Sequence, residues 1–452
     1  MDDSIQRQNP LNPQPVNRRT FIKTAGAAAL VVGGIEGILA AGRAPAFAQG
    51  TKLHWVRWVD FIAESDVELK RQIPEASKAL GAHIELETIN ANDLQARITA
   101  AIQSGSGPDI FLFQYNWAQL YANACVDVSD VASELAKAEG GFYEIYPPSC
   151  QVNGKWLAVP HSVVGNAVAY RKSWLKEAGA EHFPKTWEEL RHVSAVLKKK
   201  GKPYGQSLGH TFGDAPTFTY PMLWSYGSAE TDKSGRKVVI NTKGAVESVH
   251  FMQALWKEGC DEGGLAWDDT NNNRAFHAGE IWATNNGASI YIVAKRQQDK
   301  IKDEKGEPLW RDIDHAPLPA GPAGAYLLFL NHADAIMKYS KNQKLAKDFL
   351  RWMHKKENYG TWFQTQEGYS VGSTKAWEND PMWDRLDQPL KMFRTAARAT
   401  RLFGYAGAST AKATEAFTKY IITDMYAKGV QGTKAEDAVK WAETELKTIY
   451  EA

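Results

Sequence analysis

Residues 152–172 read VNGKWLAVPHSVVGNAVAYRK, and this stretch decides the fold. Asn153-Gly154 suits a two-residue hairpin turn, because both residues tolerate positive φ. The apolar run from Lys155 to Val159 follows, and Pro160 is expected to stop it. His161-Ser162 then makes a polar bend. A second β-like run extends from Val163 to Tyr170, and Arg171-Lys172-Ser173 opens a helix. Two strands around a polar bend, far from both termini, let a chain leave one packed body and enter another. The sequence therefore predicts a crossover at the Pro160 neck between two lobes, with a ligand held beside it.

Upstream of this stretch, apolar periodicity alternates between strand and helix. Lys52 to Val59 reads as a strand ending at Asp60-Phe61, followed by a helix from Glu64 to Leu80. His83 to Ile89 alternates as a second strand. Asn92-Asp93 is placed to cap a helix over Leu94 to Gln103. Asp109 to Phe113 is an apolar run of the kind buried in a parallel sheet. Strand–helix–strand–helix–strand with short loops is α/β winding. Downstream the chain is more helical. Thr186 with Glu189 forms a capping-box signature for a helix to Lys200. Asn331 to Lys341 is the natural second crossover, joining late strands to terminal helices.

The first 48 residues stand apart from the fold. Arg18-Arg19 precedes a mild Gly/Ala-rich apolar run, and Ala46-Phe47-Ala48 fits a cleavage site, as in a twin-arginine export signal. The apolar run contains Glu36 and is short for a membrane span. A periplasmic location is expected. The chain has 53 basic and 52 acidic residues; the leader holds five basic and three acidic ones, so the remainder is close to neutral. That balance offers no footprint for nucleic acid. About 400 residues usually divide into two domains. Three cysteines remain, Cys125, Cys150 and Cys260. Cys125–Cys150 is the nearer pair for a disulfide, and three buried free thiols are the equal alternative.

Several motifs in order along the chain resemble the family 1 extracellular solute-binding proteins of ABC importers, related to maltose-binding proteins. They are Gly107-Pro108-Asp109-Ile110, the hairpin from Asn153 to Pro160, Ala169 to Gly179, Pro184 to Leu190, Phe276 to Glu280 with Asn286-Gly287, and Leu318 to Gly324. The resemblance implies an α/β fold, a two-lobed periplasmic binding protein of type II whose lobes are joined by crossing hinge segments. It implies a monomeric receptor that closes on a small solute and docks on permease subunits. The expected division is 49–160 with 286–335 in an N-terminal lobe, and 161–285 with 336–452 in a C-terminal one.

Ligands of open α/β sheets bind beyond the carboxyl ends of strands. Those ends present Trp58 and Asp60, then Tyr115, Asn116 and Trp117, then His161 and Asn166, then Asn286. The resemblance adds Trp224, Tyr226, Tyr326 and Tyr369. Amide and carboxylate groups match neighbouring hydroxyls, and aromatic faces match the C–H side of a sugar ring. A carbohydrate is the expected ligand. The alternatives are a polyamine or quaternary amine held by Trp58, Asp60 and Trp117, and a secreted glycosidase using Asp60 with Asp109 or Asp268. No catalytic residue, metal or cofactor is expected. Gly205 to Gly209 matches G-x-S-x-G but lacks the strand-to-helix context a nucleophile needs. Asp269 to Glu280 mimics a calcium loop, with Arg274 where that loop needs Gly.

Overall fold

Strand pairing sorts the chain into two principal sheets. The computed structural model describes residues 51–398 and 401–452, so the segment expected to be an export leader lies outside the described residues. The first sheet has six strands in the order β11 (Ser370–Gly372), β6 (Val159–Val164), β10 (Leu330–Ile336), and then β3, β1 and β2. Its first three members are β1 (Lys52–Trp58), β2 (His83–Ile89) and β3 (Ile110–Gln114). All three run parallel, as the α/β winding predicts. β3 is buried at every residue, which is why it shows no polar alternation. Two helices, Ala63–Leu80 and Ala91–Ser104, make the crossovers. The second helix is capped two residues earlier than expected, by Asn90, whose side chain accepts from the Asn92 N–H at 2.9 Å.

The hairpin forms as its turn residues require. Asn153 and Gly154 adopt φ of 51° and 76° between β4 (Gln151–Val152) and β5 (Lys155–Trp156). Thr186 and Glu189 close a capping box on the helix Trp187–Lys198.

The crossover differs from expectation. Pro160 does not end a strand, because it lies within β6 (Val159–Val164), and so do His161 and Ser162. Proline has no N–H to give a ladder, yet here the pairing of β6 with β10 (Leu330–Ile336) shifts register between His332 and Ala333, beside the Pro160 pair. An irregularity of that kind accommodates proline inside a sheet. The chain instead passes to the second sheet across Gly165-Asn166. Gly165 is required there by close approach, since a Cβ would meet the Phe393 ring at 2.5 Å.

The second sheet has the order β8-β7-β9, with β7 (Ala167–Arg171) antiparallel to both β8 (Ala283–Asn286) and β9 (Ile313–Ala316). Two late segments therefore sort differently from the expected division. β9 belongs with β7 rather than with the N-terminal strands. Beyond residue 336, β11 (Ser370–Gly372) pairs with β6 in the first sheet. The helix Lys356–Gln366 packs on Ala63–Leu80. Hydrogen bonding sets the reason: β6 is a strand with two open edges, and β10 and β11 each satisfy one.

Cys125, Cys150 and Cys260 are all free and buried, so the nearer pair forms no disulfide. Among the described residues no helix is long and apolar enough to cross a membrane.

Candidate functional site

A narrow cavity sits where the two sheets meet. Its walls come from strand ends, the crossing between the sheets, a helix start and two loops. β1 delivers Trp58 and the turn after it Phe61. The crossing supplies Gly165 and Asn166, and the end of β8 supplies Asn286 and Gly287. Phe212, Gly213, Asp214 and Thr217 come from the start of the helix Asp214–Ser225. Asp269 enters from the loop before the helix Asn271–His277, and Tyr369 from the turn before β11.

The rings form a cluster about Trp58. Its centroid lies 5.7 Å from Phe61, 5.7 Å from Phe212 and 6.4 Å from Tyr369, the last nearly parallel at 15°. Aromatic side chains hold such positions with few rotatable bonds, so they make a rigid apolar wall.

The polar groups on that wall are incompletely paired within the protein. Trp58 is 1% exposed, and its indole N–H has no partner. Asn166 has a free Oδ1. Asp269 commits Oδ1 to the Gly213 N–H at 3.2 Å and the Asp214 N–H at 2.7 Å, but its Oδ2 is buried and unpaired. The Oδ2 of Asp214 is likewise buried and unpaired. Burial first, then the Asp269 charge, pushes the Asp214 carboxyl well above the usual range. Burial pushes Asp269 up to about 6, against the opposing backbone N–H of Asp214. Loss of hydration disfavours the ionised form, and a like charge adds to it.

The cavity collects Trp58, Asn166, Asn286 and Tyr369 from the residues expected at the site. Asn286 is partly engaged already: its Oδ1 accepts from the Gly287 N–H at 2.6 Å and its amide reaches Asn273. The other expected residues face other partners. Asp60 accepts from Ile62 N–H at 2.9 Å, Ser65 at 2.9 Å and Gln366 at 3.0 Å, tying two helices together. Tyr115 donates to the Phe212 carbonyl at 2.6 Å, and Asn116 donates to Ser409 at 2.7 Å. Trp117 packs against Phe113. Trp224 lies against Tyr220 and Tyr405, and Tyr226 against Phe251. Tyr326 lies beneath the Arg401 guanidinium at 3.5 Å.

His161 points away from the cavity. Its Nδ1 lies 3.2 Å from Asp334, which also accepts from the Trp55 indole at 2.9 Å. His161, Asp334 and His354 bring three metal-capable atoms within 4.8 Å of one another. Burial lowers the pKa of His161, and contact with His161 lowers that of Asp334 against its own burial; the Arg57 charge adds a smaller lowering to each, so it already reaches this pocket of the core. A second cation there would be repelled.

Sequence reasoning missed Phe61, Phe212, Asp214, Thr217 and Asp269. Phe61 was in view, one residue past Asp60. The signal for Asp269 was also present, but in a motif that looked like a calcium loop. The three carboxylates considered for a glycosidase are engaged in separate places. Asp60 ties the helices, Asp109 accepts from the His54 N–H at 2.8 Å, and Asp268 accepts from the Thr270 N–H at 2.8 Å. Ser207 donates to the Trp267 carbonyl at 2.9 Å.

Two sheets joined by crossing strands meet at a ring-lined cavity. Residues 74–388 match the bacterial extracellular solute-binding proteins, and the chain belongs to that family. Family members serve ABC importers as binding components. A putative binding protein of Brucella abortus is 24% identical over 319 residues, covering 68% of this chain and 74% of the relative. A probable ABC transporter-binding protein of Deinococcus radiodurans is 24% identical over 324 residues, with the same coverage of 68% and 74%. Among solved structures, maltose-bound MalE3 of T. maritima superposes with a TM-score of 0.74 at 21% identity, covering 88% of this chain and 99% of that one. A solute-binding protein of Agrobacterium radiobacter K84 in complex with ribitol gives 0.71 at 19% identity, covering 88% and 98%. The fold is that of the two-lobed periplasmic binding proteins.

Proposed function

We propose that this protein is the exported receptor of a carbohydrate importer. It binds a small sugar or polyol in the cavity between the sheets and presents it to the permease subunits of an ABC transporter. The twin-arginine leader delivers it to the periplasm, and it works there as a monomer. The single observation that carries the ligand class is the wall itself: rings from Trp58, Phe61, Phe212 and Tyr369 beside the polar groups of Asn166, Asp214, Thr217 and Asp269. Ring faces take the apolar side of a sugar, while carboxylates and amides take its hydroxyls. The maltose and ribitol complexes of similarly folded proteins support the same class.

Opening and closing would occur as a hinge at Gly165-Asn166, with the neighbouring crossings absorbing the dihedral change. Binding by the closed form raises the melting temperature by mass action, worth about 2.7 kcal/mol at a hundredfold excess over Kd. A panel of neutral and aminated monosaccharides, disaccharides and polyols should yield at least one clear thermal shift with a change in Trp fluorescence. A flat response across the whole panel would sink the carbohydrate assignment.

A further inference from the structure

We propose that the solute carries an ammonium group, with Asp214 and Asp269 as its paired counter-charges, so that the ligand is an amino sugar or an aminated polyol. This rests on the carbohydrate reading and narrows it. The two carboxylates enter the cavity from different segments, one at the start of a 12-residue helix and one from the loop before another. Each keeps a buried, unpaired Oδ2. The described residues that border the cavity include no Lys, Arg or His. The other titratable groups that feel the pair are Asp268 and the phenols of Tyr115, Tyr204, Tyr369 and Tyr420, and none of these is a cation.

A neutral sugar can hydrogen-bond to both carboxyls, but it leaves them pushed towards the protonated form by burial and by mutual repulsion. An ammonium replaces that repulsion with attraction to both, and brings three donors for the free oxygens. The rings of Trp58, Phe61, Phe212 and Tyr369 add cation–π attraction. A second observation separates an amino sugar from a bare amine. Trp58, 1% exposed, borders the same cavity with an unpaired N–H, and Asn166 borders it with an unpaired Oδ1. One spare donor and one spare acceptor suit ring hydroxyls, which a simple alkylamine lacks.

The test is isothermal titration of the full chain with glucose, galactose and mannose, their 2-amino counterparts, putrescine and choline. The expected result is that at least one amino sugar binds tenfold or more tightly than its neutral parent. Asp214→Asn and Asp269→Asn should each remove that preference without lowering the melting temperature. The raised pKa of Asp269, about 6, supplies a readout independent of the variants. At pH 6, where Asp269 is about half protonated, binding an ammonium should expel about half a proton from it, seen as a buffer-dependent enthalpy, and a neutral sugar should not. Equal or tighter binding of the neutral parents would overturn the ammonium assignment and leave the carbohydrate reading standing. Binding of putrescine or choline alone would do the reverse. Binding of none of these probes would overturn the ammonium assignment, and the broader panel then decides the carbohydrate reading.

Discussion

Asp60 and Asp269 are both buried aspartates at the edge of the junction between the sheets, and they are used in opposite ways. Asp60 meets three donors from two helices, so it is a tie within the first sheet's layer. Asp269 gives one oxygen to backbone N–H groups at a helix start and keeps the other in the cavity wall. Burial raises the pKa of both. A shifted carboxylate therefore does not by itself mark a ligand site. What separates them is whether the protein has spent all of the group's hydrogen-bonding capacity. A saturated acid holds the fold, and an unsaturated one is available to a solute.

The largest expected effect is on the saturated acid. Asp60→Ala leaves Ser65, Gln366 and the Ile62 N–H without their acceptor, and should cost about 1–3 kcal/mol of stability. Urea unfolding at constant m-value reads this directly. Solute affinity of the folded variant should stay within threefold. Intact stability with lost binding would move Asp60 into the site and break the contrast.

The next effect sharpens it with a third buried acid. Glu230 is buried away from the cavity and pushed by burial up to about 8, although its Oε2 accepts the Gly404 N–H. The folded state therefore holds this proton to higher pH than the unfolded chain does. The stability it contributes is full below about pH 4.5, and is lost as pH rises through about 8. Glu230→Gln should remove a slope of at most about 1.4 kcal/mol per pH unit from that window. Thermal melts from pH 5 to 9 would show it. An unchanged slope in the variant would mean that Glu230 is already ionised.

The smallest effect on stability belongs to Asp269→Asn. The amide oxygen can still accept from Gly213 and Asp214, and a buried charge disappears. At pH 7 the change should be under about 1 kcal/mol and towards greater stability, since the raised pKa makes the ionised form the costly one. A loss of several kcal/mol would show that Asp269, like Asp60, is primarily structural.

Much of the architecture was legible because local rules decided it. The Asn153-Gly154 turn, the Thr186–Glu189 box and the fully apolar β3 all follow from the residues in place. The crossover was misplaced by a few residues because Pro160 looks like a strand terminator in isolation. Only its partner strand, with a register shift beside the proline, makes it tolerable. The site was legible in part. Strand ends pointed to Trp58, Asn166 and Asn286, but the same rule nominated Tyr115, Asn116 and Trp117. Segments distant in sequence, around Phe212 and Ser409, bond to Tyr115 and Asn116.

By itself the sequence determined the alternation of strand and helix, the hairpin, the family and the aromatic, near-neutral character of the receptor. These depend on periodicity, turn chemistry and composition, which act over a few residues or over the whole chain at once. Only the tertiary structure decided which acids are spent and which are free. Asp214, Asp269, Trp58 and Tyr369 are far apart in sequence and meet because β6, β7 and β11 pair across long separations. The availability of a carboxylate oxygen is a property of every donor around it, and that set exists only after the sheets have closed on one another.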